Sequence, residues 1–263
     1  MSKINTAINE ARRLAECAQK DTLINHIHPL SKLIITILYI AITVSFDKYN
    51  LSNLIIMAIY PIAFFIIGDL SFRVCIKRIK VVLALVCITG VFNPLFDKST
   101  LFSVGAFQVT GGVVSMMTLM IKGIYTVLAG YILISTTSIE GICYSLRIVK
   151  FPKILVTVIL LVYRYIFLML RESETIMTAY SMRALNQRGI HFKVWGSLTG
   201  QLLLRSSDRA KDVYDSMSMR GFNGEFCFLR GKNELRLLDI IFVVLWSVVI
   251  VSVRFIPFRG LFR

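Results

Sequence analysis

Long apolar runs alternate with short polar and basic stretches along most of this chain. Five runs are prominent, at 33–46, 51–68, 113–135, 154–170 and 237–256. A weaker run covers about 81–91 and ends at Asn93-Pro94. A helix of about 20 apolar residues crosses the roughly 30 Å of hydrocarbon in a bilayer. The pattern therefore predicts an all-α integral membrane protein.

The run that begins at 154 differs from the others, because its helical pattern continues well beyond the apolar part. Seven residues share one face at roughly helical spacing, namely Ile154, Val158, Val162, Tyr165, Met169, Ile176 and Tyr180. We therefore predict one long helix over about 153–184, with Pro152 suited to its first turn.

A shorter helix and a second long helix are predicted on either side of it. Thr137-Ser138-Ile139-Glu140 fits a capping box, so a helix should start there and end before Pro152. An amphipathic helix follows over about 197–220, and Gly221 stands where a C-terminal glycine is expected. Elsewhere, residues 1–31 read as a polar arm, and 103–110 as a small hairpin with Gly105 at its turn.

Charge decides how these elements are arranged across the membrane. The 263 residues are 56% hydrophobic and carry a net charge of +15. The basic residues lie between apolar runs, so positive charge retained on the cytoplasmic side explains them better than nucleic-acid binding. The stretch 71–80 contains four basic residues and no acid, and 171–236 contains 11 Lys or Arg against 7 Asp or Glu. Both are expected in the cytoplasm.

That arrangement favours about five transmembrane helices, with 154–170 at the cytoplasmic boundary rather than across the membrane. It leaves Arg254, Arg259 and Arg263 outside, against the positive-inside rule. No signal peptide is expected, because the first 25 residues are polar and charged. The predicted division is 1–136, with the arm and transmembrane helices 1–4; 137–232, with the long polar helices; and 233–263, with a C-terminal transmembrane helix.

Residues suited to catalysis or metal binding are sparse in this sequence. The five cysteines lack Cys-x-x-Cys spacing and are expected to be free thiols. His26 and His28 have only His191 as a further histidine, so we predict no metal site. Neither a phosphate-binding loop nor a Gly-x-Ser-x-Gly motif occurs. We therefore predict no cofactor and no catalytic residue. The charges of Arg164, Glu172 and Glu174 are expected either to pair where the long helices cross or to snorkel to the membrane interface.

Two similar segments end the two long predicted helices. They are Met182-Arg183-Ala184 and Met219-Arg220-Gly221. Each places one arginine between a methionine and a small residue. A guanidinium offers five donors in a rigid fork that suits carboxylates and carbonyl-lined grooves, and a small neighbour permits close approach. The simpler alternative is an ordinary basic last turn that favours the helix dipole.

Several motifs together resemble the transmembrane (T) component of energy-coupling factor transporters. His28-Pro29-Leu30-Ser31-Lys32-Leu33 is similar to the family's Asp-Pro-x-x-Lys-Leu motif, with His in place of Asp. Asn93-Pro94-Leu95-Phe96 resembles its Asn-Pro-Leu turn. The stretches 204–214 and 219–225 are most similar to members that serve cobalt and nickel uptake. The first arginine motif departs from the family's Ala-Arg-Gly by lacking the glycine, and Arg188-Gly189 is a rival for it.

The resemblance implies a non-catalytic membrane scaffold, with 137–232 as its coupling-helix domain. In this family two crossed coupling helices end in arginines that dock into two ATPase subunits, which here implies Arg183 and Arg220. The other implied partner is a small hydrophobic membrane subunit that binds the substrate, a vitamin or a transition-metal ion, with cobalt or nickel favoured. The implied location is a prokaryotic plasma membrane. The alternatives are a lipid-modifying membrane enzyme and a stand-alone transporter or channel, although no Asp-rich motif or internal repeat supports them.

Overall fold

The structure is a computed structural model. It describes residues 24–25, 27–47, 51–68, 75, 80, 84, 86, 88, 90, 100–104, 107–184, 191–224, 226 and 236–255. The described residues form two compact units. The membrane body contains those of Cys17–Ser138 and Lys232–Arg263, and the helix-pair unit contains those of Ile139–Gly231.

Five helices and one hairpin make up the described part of the membrane body. The helices are α1 (Pro29–Ser45), α2 (Leu51–Ile56), α3 (Ile59–Ile67), α4 (Gly111–Thr136) and α8 (Leu237–Phe255). The hairpin pairs β1 (Thr100–Val104) with β2 (Phe107–Thr110) in antiparallel register. The helix-pair unit contributes α5 (Ile139–Ile148), α6 (Lys153–Arg183) and α7 (Phe192–Met219).

The prediction of an all-α membrane protein is confirmed, with the hairpin as a small exception. By length and composition, α4, α6 and α8 are able to cross a membrane, and two shorter apolar helices cover Pro29–Ser45 and Asn53–Ile67. The hairpin begins three residues earlier than expected, and its predicted turn residue Gly105 lies outside the described residues. The polar arm before residue 24 and most of the run 81–91 also lie outside them.

An aromatic cluster forms the centre of the membrane body. Tyr60 stacks on Tyr39 with ring centroids 4.3 Å apart, and Trp246 of α8 meets the Tyr60 ring edge-on at 5.3 Å. Phe64 lies 4.6 Å from Tyr60 and 5.4 Å from Trp246. Offset and edge-on pairs of this kind each add about 0.5–1.5 kcal/mol to the burial itself. The cluster thus holds α1, α3 and α8 together.

The second apolar run, 51–68, is interrupted where a single helix was predicted. The chain breaks at Met57 and Ala58, between α2 and α3. A break leaves backbone carbonyls without helical partners, which is costly in an apolar environment. Here the Tyr39 hydroxyl donates to the Met57 carbonyl at 3.0 Å, so a side chain of α1 compensates for part of the break.

Buried polar contacts connect the ends of three helices in the body. His28 accepts from the Leu30 amide through Nδ1 at 3.1 Å and caps α1, while its own amide donates to Asp239 Oδ1 at 2.9 Å. Lys32 Nζ donates to the Thr136 carbonyl at the end of α4, at 2.9 Å. The His28-to-Lys32 motif therefore has a structural role, with the histidine as the N-terminal cap of α1.

The other end of α1 is held by two cations. Lys122 of α4 donates to the Val44 carbonyl at 3.1 Å and also to the Phe46 carbonyl. The Arg254 guanidinium lies 5.0 Å from the centroid of the Phe46 ring. Positive charge at a helix C-terminus favours the helix dipole, and a cation over an aromatic face is attracted by it. Arg254 thus has a local structural role, although the predicted topology places it on the outer side of the membrane.

Candidate functional site

Two long helices of the helix-pair unit carry the candidate residues. The predicted helix over 153–184 is confirmed as α6, which ends at Arg183, and the one over 197–220 as α7, which begins five residues earlier at Phe192. The short helix predicted from the Thr137-to-Glu140 box is α5, and it starts at Ile139. Ser138 rather than Thr137 therefore stands at its N-cap position.

The surface of α7 is unusual, because none of its 28 residues is buried. Phe192 and Met219 at its two ends are 91% and 90% exposed, and Trp195, Leu203, Leu204 and Tyr214 are exposed between them. Along α6, only Val156, Thr157 and Ile176 are buried. Large apolar side chains exposed along a whole helix are consistent with a surface that other molecules cover.

The two helices cross at an ion pair. Arg205 of α7 donates through Nη1 to Glu172 Oε1 of α6. This agrees with the expectation that a charge of this stretch pairs where the long helices cross. The two side chains remain 46% and 33% exposed, so the pair orients the helices more than it stabilises them.

The second arginine tip, Met219-Arg220-Gly221, ends α7 in a common C-terminal capping motif. Gly221 has a φ of 76°, a left-handed conformation that glycine adopts without the penalty of a Cβ atom. Its amide bonds to the Ser218 carbonyl at 3.0 Å, and the Phe222 amide bonds to the Met217 carbonyl at 3.0 Å. These two bonds define a Schellman motif. Arg220 occupies the C-cap position and is exposed.

The first tip, Met182-Arg183-Ala184, ends differently. Ala184 is the C-cap of α6, with φ −116° and ψ 56°, and its amide bonds to the Tyr180 carbonyl at 3.0 Å. Arg183 is exposed, as is Met182. Among the described residues, neither Arg183 nor Arg220 has a side-chain hydrogen bond or ion pair. Both guanidinium groups are thus available to a partner, while the rival Arg188-Gly189 lies outside the described residues.

Two contacts that the sequence did not predict hold the segment after the second tip. The Thr157 hydroxyl donates to the Gly224 carbonyl at 3.2 Å, and Arg147 Nη1 donates to the Phe226 carbonyl at 2.7 Å. The Phe222 and Phe226 rings approach to 5.2 Å. The acceptors are backbone carbonyls, so their side chains give no sequence signal. The only hint is a basic residue, Arg147, in the last turn of α5.

These contacts determine where the two arginines lie along the pair. The segment after Arg220 contacts Thr157, near the start of α6, whereas Arg183 ends the same helix 26 residues later. At 1.5 Å per residue that is roughly 39 Å of helix. The arginines are therefore presented at different ends of the helix pair, in positions suited to two separate docking sites.

The described residues provide no cluster that could bind a metal ion, and the two described cysteines are buried. Within the described part of the chain, no group of three or more His, Cys, Asp or Glu side chains is placed to hold a metal ion. Cys75 and Cys143 are buried free thiols, and the other three cysteines lie outside that part. Burial raises the pKa of the Cys143 thiol, and the nearby Glu140 raises it further.

Comparison with known proteins identifies the group to which this architecture is similar. Residues 20–228 match the CbiQ family, described as cobalt transport protein. The chain is 29% identical over 128 residues to the uncharacterized protein MJ1571 of Methanocaldococcus jannaschii, which is 48% of this chain and 43% of that protein. It is 24% identical over 122 residues to MJ1089 of the same organism, 46% of each chain. The chain thus spans a little less than half the length of the curated relatives it matches.

Proposed function

The chain belongs to the cobalt transport protein (CbiQ) family, and from that premise we propose that it is the energy-coupling membrane subunit of an importer of the energy-coupling factor type. Two ATPase subunits bind Arg183 and Arg220, together with the flanking residues of their tips. Nucleotide is hydrolysed in those subunits, and the present chain is not an enzyme. It transmits their motion to a small hydrophobic membrane subunit that binds the substrate.

Two exposed arginines at the ends of two long helices, neither paired with a described side chain, are the observation that carries this proposal. Each guanidinium stands at a helix end with an exposed methionine before it, Met182 or Met219. Arginine fits carbonyl-lined or acidic grooves through its planar set of donors. A pair of ordinary basic last turns would account for the charges, but not for a 28-residue helix without a buried side chain.

The contacts between α6 and α7 support a cytoplasmic position for this unit, which we propose is the coupling domain predicted at 137–232. By composition alone α6 is able to cross a membrane. However, α7 is joined to the region of α6 at both Glu172 and Thr157. If that part of α6 crossed the bilayer, 205–220 would lie in it as well. That stretch holds seven charges, Arg205, Asp208, Arg209, Lys211, Asp212, Asp215 and Arg220, which hydrocarbon does not accommodate.

The substrate follows from the family rather than from a site on this chain. We propose uptake of a transition-metal ion, cobalt or nickel, in keeping with the family description, and regard a vitamin as the second candidate. The substrate-binding subunit makes that choice. The proposed location is the plasma membrane of a prokaryote, with the membrane body spanning the bilayer about five times.

Charge reversal at both tips tests the proposal. We expect the double variant Arg183→Glu/Arg220→Glu to insert into the membrane normally but to lose its ATPase subunits in a detergent pull-down from native membranes. The control is Arg209→Glu, which reverses an exposed charge in the middle of α7 and should retain them. A double variant that keeps ATPases at the level of the unmodified chain would exclude docking through these arginines.

The same pull-down distinguishes the remaining possibilities. Two ATPase-sized proteins and a small hydrophobic protein, identified by mass spectrometry, would support the coupling role and point to the substrate. If the unmodified chain purifies alone in a detergent that preserves other importers, a stand-alone transporter, a channel or a lipid-modifying enzyme becomes the better explanation.

A further inference from the structure

The chain that follows the second arginine tip is anchored at two nearby backbone carbonyls, those of Gly224 and Phe226. After the Schellman turn, Gly224 has a φ of 84°, so the backbone reverses again within three residues of Gly221. The Gly224 carbonyl accepts from Thr157 on α6, and the Phe226 carbonyl accepts from Arg147 on α5. Two side chains from two other helices thus fix a segment whose described residues, 222–224 and 226, lie outside any helix or strand.

The chemistry of these contacts favours the arginine as the stronger anchor. Arg147 Nη1 lies 2.7 Å from its acceptor, a short distance typical of a charge-assisted bond. Thr157 contributes a neutral hydroxyl at 3.2 Å. A hydrogen bond from a charged donor contributes more than one from a neutral donor, and Arg147 is only partly exposed, so its carbonyl bond faces less competition from water.

The two tips differ in how the backbone after each arginine is held. Among the described residues, no side chain is hydrogen bonded to the backbone of Ala184, which follows Arg183. The second tip, in contrast, is followed by a glycine turn, an aromatic contact between Phe222 and Phe226, and the two anchors. The second tip is therefore presented in a fixed direction before any partner binds.

We infer that Arg147 is a positioning residue that holds the segment after α7 and so presents Arg220 to its ATPase subunit. The inference rests on the proposed function. Arg147 itself does not contact the ATPase in this account. It acts on the second tip alone and leaves Arg183 unaffected, which separates positioning from a general effect on folding.

A double-mutant cycle measures whether Arg147 acts on Arg220 and not on Arg183. The full-length chain in nanodiscs is titrated with the ATPase subunits that co-purify with it. Arg147→Met, which keeps the aliphatic stem but removes the donor, is expected to weaken ATPase binding roughly 10-fold. In an Arg183→Ala background the same 10-fold loss should remain. In an Arg220→Ala background it should fall below about 2-fold, because residues that act through one another are not additive.

Three further variants make the result decisive. Arg147→Lys retains a charged donor and should recover part of the affinity, while Thr157→Val should show a smaller loss with the same dependence on Arg220. Arg209→Met removes an arginine elsewhere in the unit and should bind like the unmodified chain. If Arg147→Met binds normally while Arg220→Ala does not, or if its loss is equal in both backgrounds, the positioning role is wrong. If Arg220→Ala itself binds normally, the proposed docking at this tip is wrong instead.

Discussion

The membrane body contains a buried aromatic cluster, whereas the long helix α7 of the helix-pair unit has no fully buried residue. In the body, Tyr39 is fully buried and Tyr60 and Phe64 are nearly so, against side chains of the same unit. In the helix-pair unit, no residue of α7 is fully buried, and Leu198, Leu202 and Val213 are only partly buried. Short isolated helices are only marginally stable in water, and most helices in proteins rely on tertiary packing. The body supplies that packing through its buried aromatic cluster, whereas α7 has no buried cluster of its own.

The two units also differ in how they place their charged side chains. The body satisfies Lys32 and Asp239 internally, through the Thr136 carbonyl and the amides of His28 and Arg236. The helix-pair unit leaves Arg183 and Arg220 at its surface. Buried polar groups that are satisfied specify a fold, and exposed cations at helix ends are suited to recognition. The comparison thus assigns stability to the body and docking to the helix pair.

The largest effect on stability is expected when the centre of the aromatic cluster is removed. Tyr60→Ala deletes a ring that contacts Tyr39, Phe64 and Trp246. We expect the free energy of unfolding to fall by about 3–5 kcal/mol, as for other large aromatic truncations in cores. The measurement is the loss of monodisperse protein on heating in detergent.

The matched control lies in the other unit. Leu203→Ala also truncates a large apolar side chain, but Leu203 of α7 is 69% exposed. Its effect on stability should stay within about 0.5 kcal/mol, as for surface substitutions generally. A large loss at Leu203 in the isolated chain would mean that the exposed side of α7 packs against this chain, and the contrast between the units would fail.

The sequence predicted the elements of the fold better than their interruptions. The face shared by Ile154 and Tyr180 continues past the apolar run, so α6 was recognisable from periodicity alone. The break at Met57 was not, because the residues on both sides of it, 54–60, are all apolar or aromatic. The Tyr39 hydroxyl that accommodates the break comes from another helix, 18 residues away in the chain, and periodicity carries no information about such a partner.

In the candidate site, too, contacts between residues distant in the chain could not be predicted from the sequence. The Met-Arg-Ala and Met-Arg-Gly tips stand out because they are repeated, and Gly221 predicted a left-handed turn that the structure contains. Arg147 remained unrecognised because it binds the backbone 79 residues away. Asp239 was likewise missed, since its partner His28 is 211 residues distant. A side chain that recognises a carbonyl or an amide leaves no complementary residue in the sequence.

A smaller test concerns the turn between α5 and α6. Lys150 has a φ of 62°, and its amide bonds to the Arg147 carbonyl at 3.0 Å. Left-handed geometry costs a residue with a side chain roughly 1–2 kcal/mol, while glycine gains freedom in the unfolded chain. Lys150→Gly should therefore raise the free energy of unfolding by about 0.5–1 kcal/mol.

Amide hydrogen exchange localises this effect to the helix-pair unit. Slower exchange is expected at Val149, Lys150 and Phe151, whose amides bond back to the end of α5. Lys153→Gly is the control, because Lys153 begins α6 with ordinary helical geometry and should gain nothing. Faster exchange at Phe151 in Lys150→Gly would indicate that the lysine side chain stabilises this turn.

The smallest effect on stability, and the most informative about the helix pair, is expected at the crossing. Glu172 and Arg205 are one-third and nearly half exposed, so each single reversal should cost about 0.2–1 kcal/mol, less in high salt. Because α7 has no fully buried residue and its other anchors lie beyond its C-terminal end, we expect the ion pair to contribute to the crossing angle. Glu172→Arg should broaden the distance distribution between spin labels at positions 181 and 218, beside the two tips, in a chain whose native cysteines are replaced. The swap Glu172→Arg/Arg205→Glu should narrow it again. If the single variant keeps a narrow distribution in the isolated chain, contacts within the chain hold the crossing, and the helix pair is as self-contained as the body.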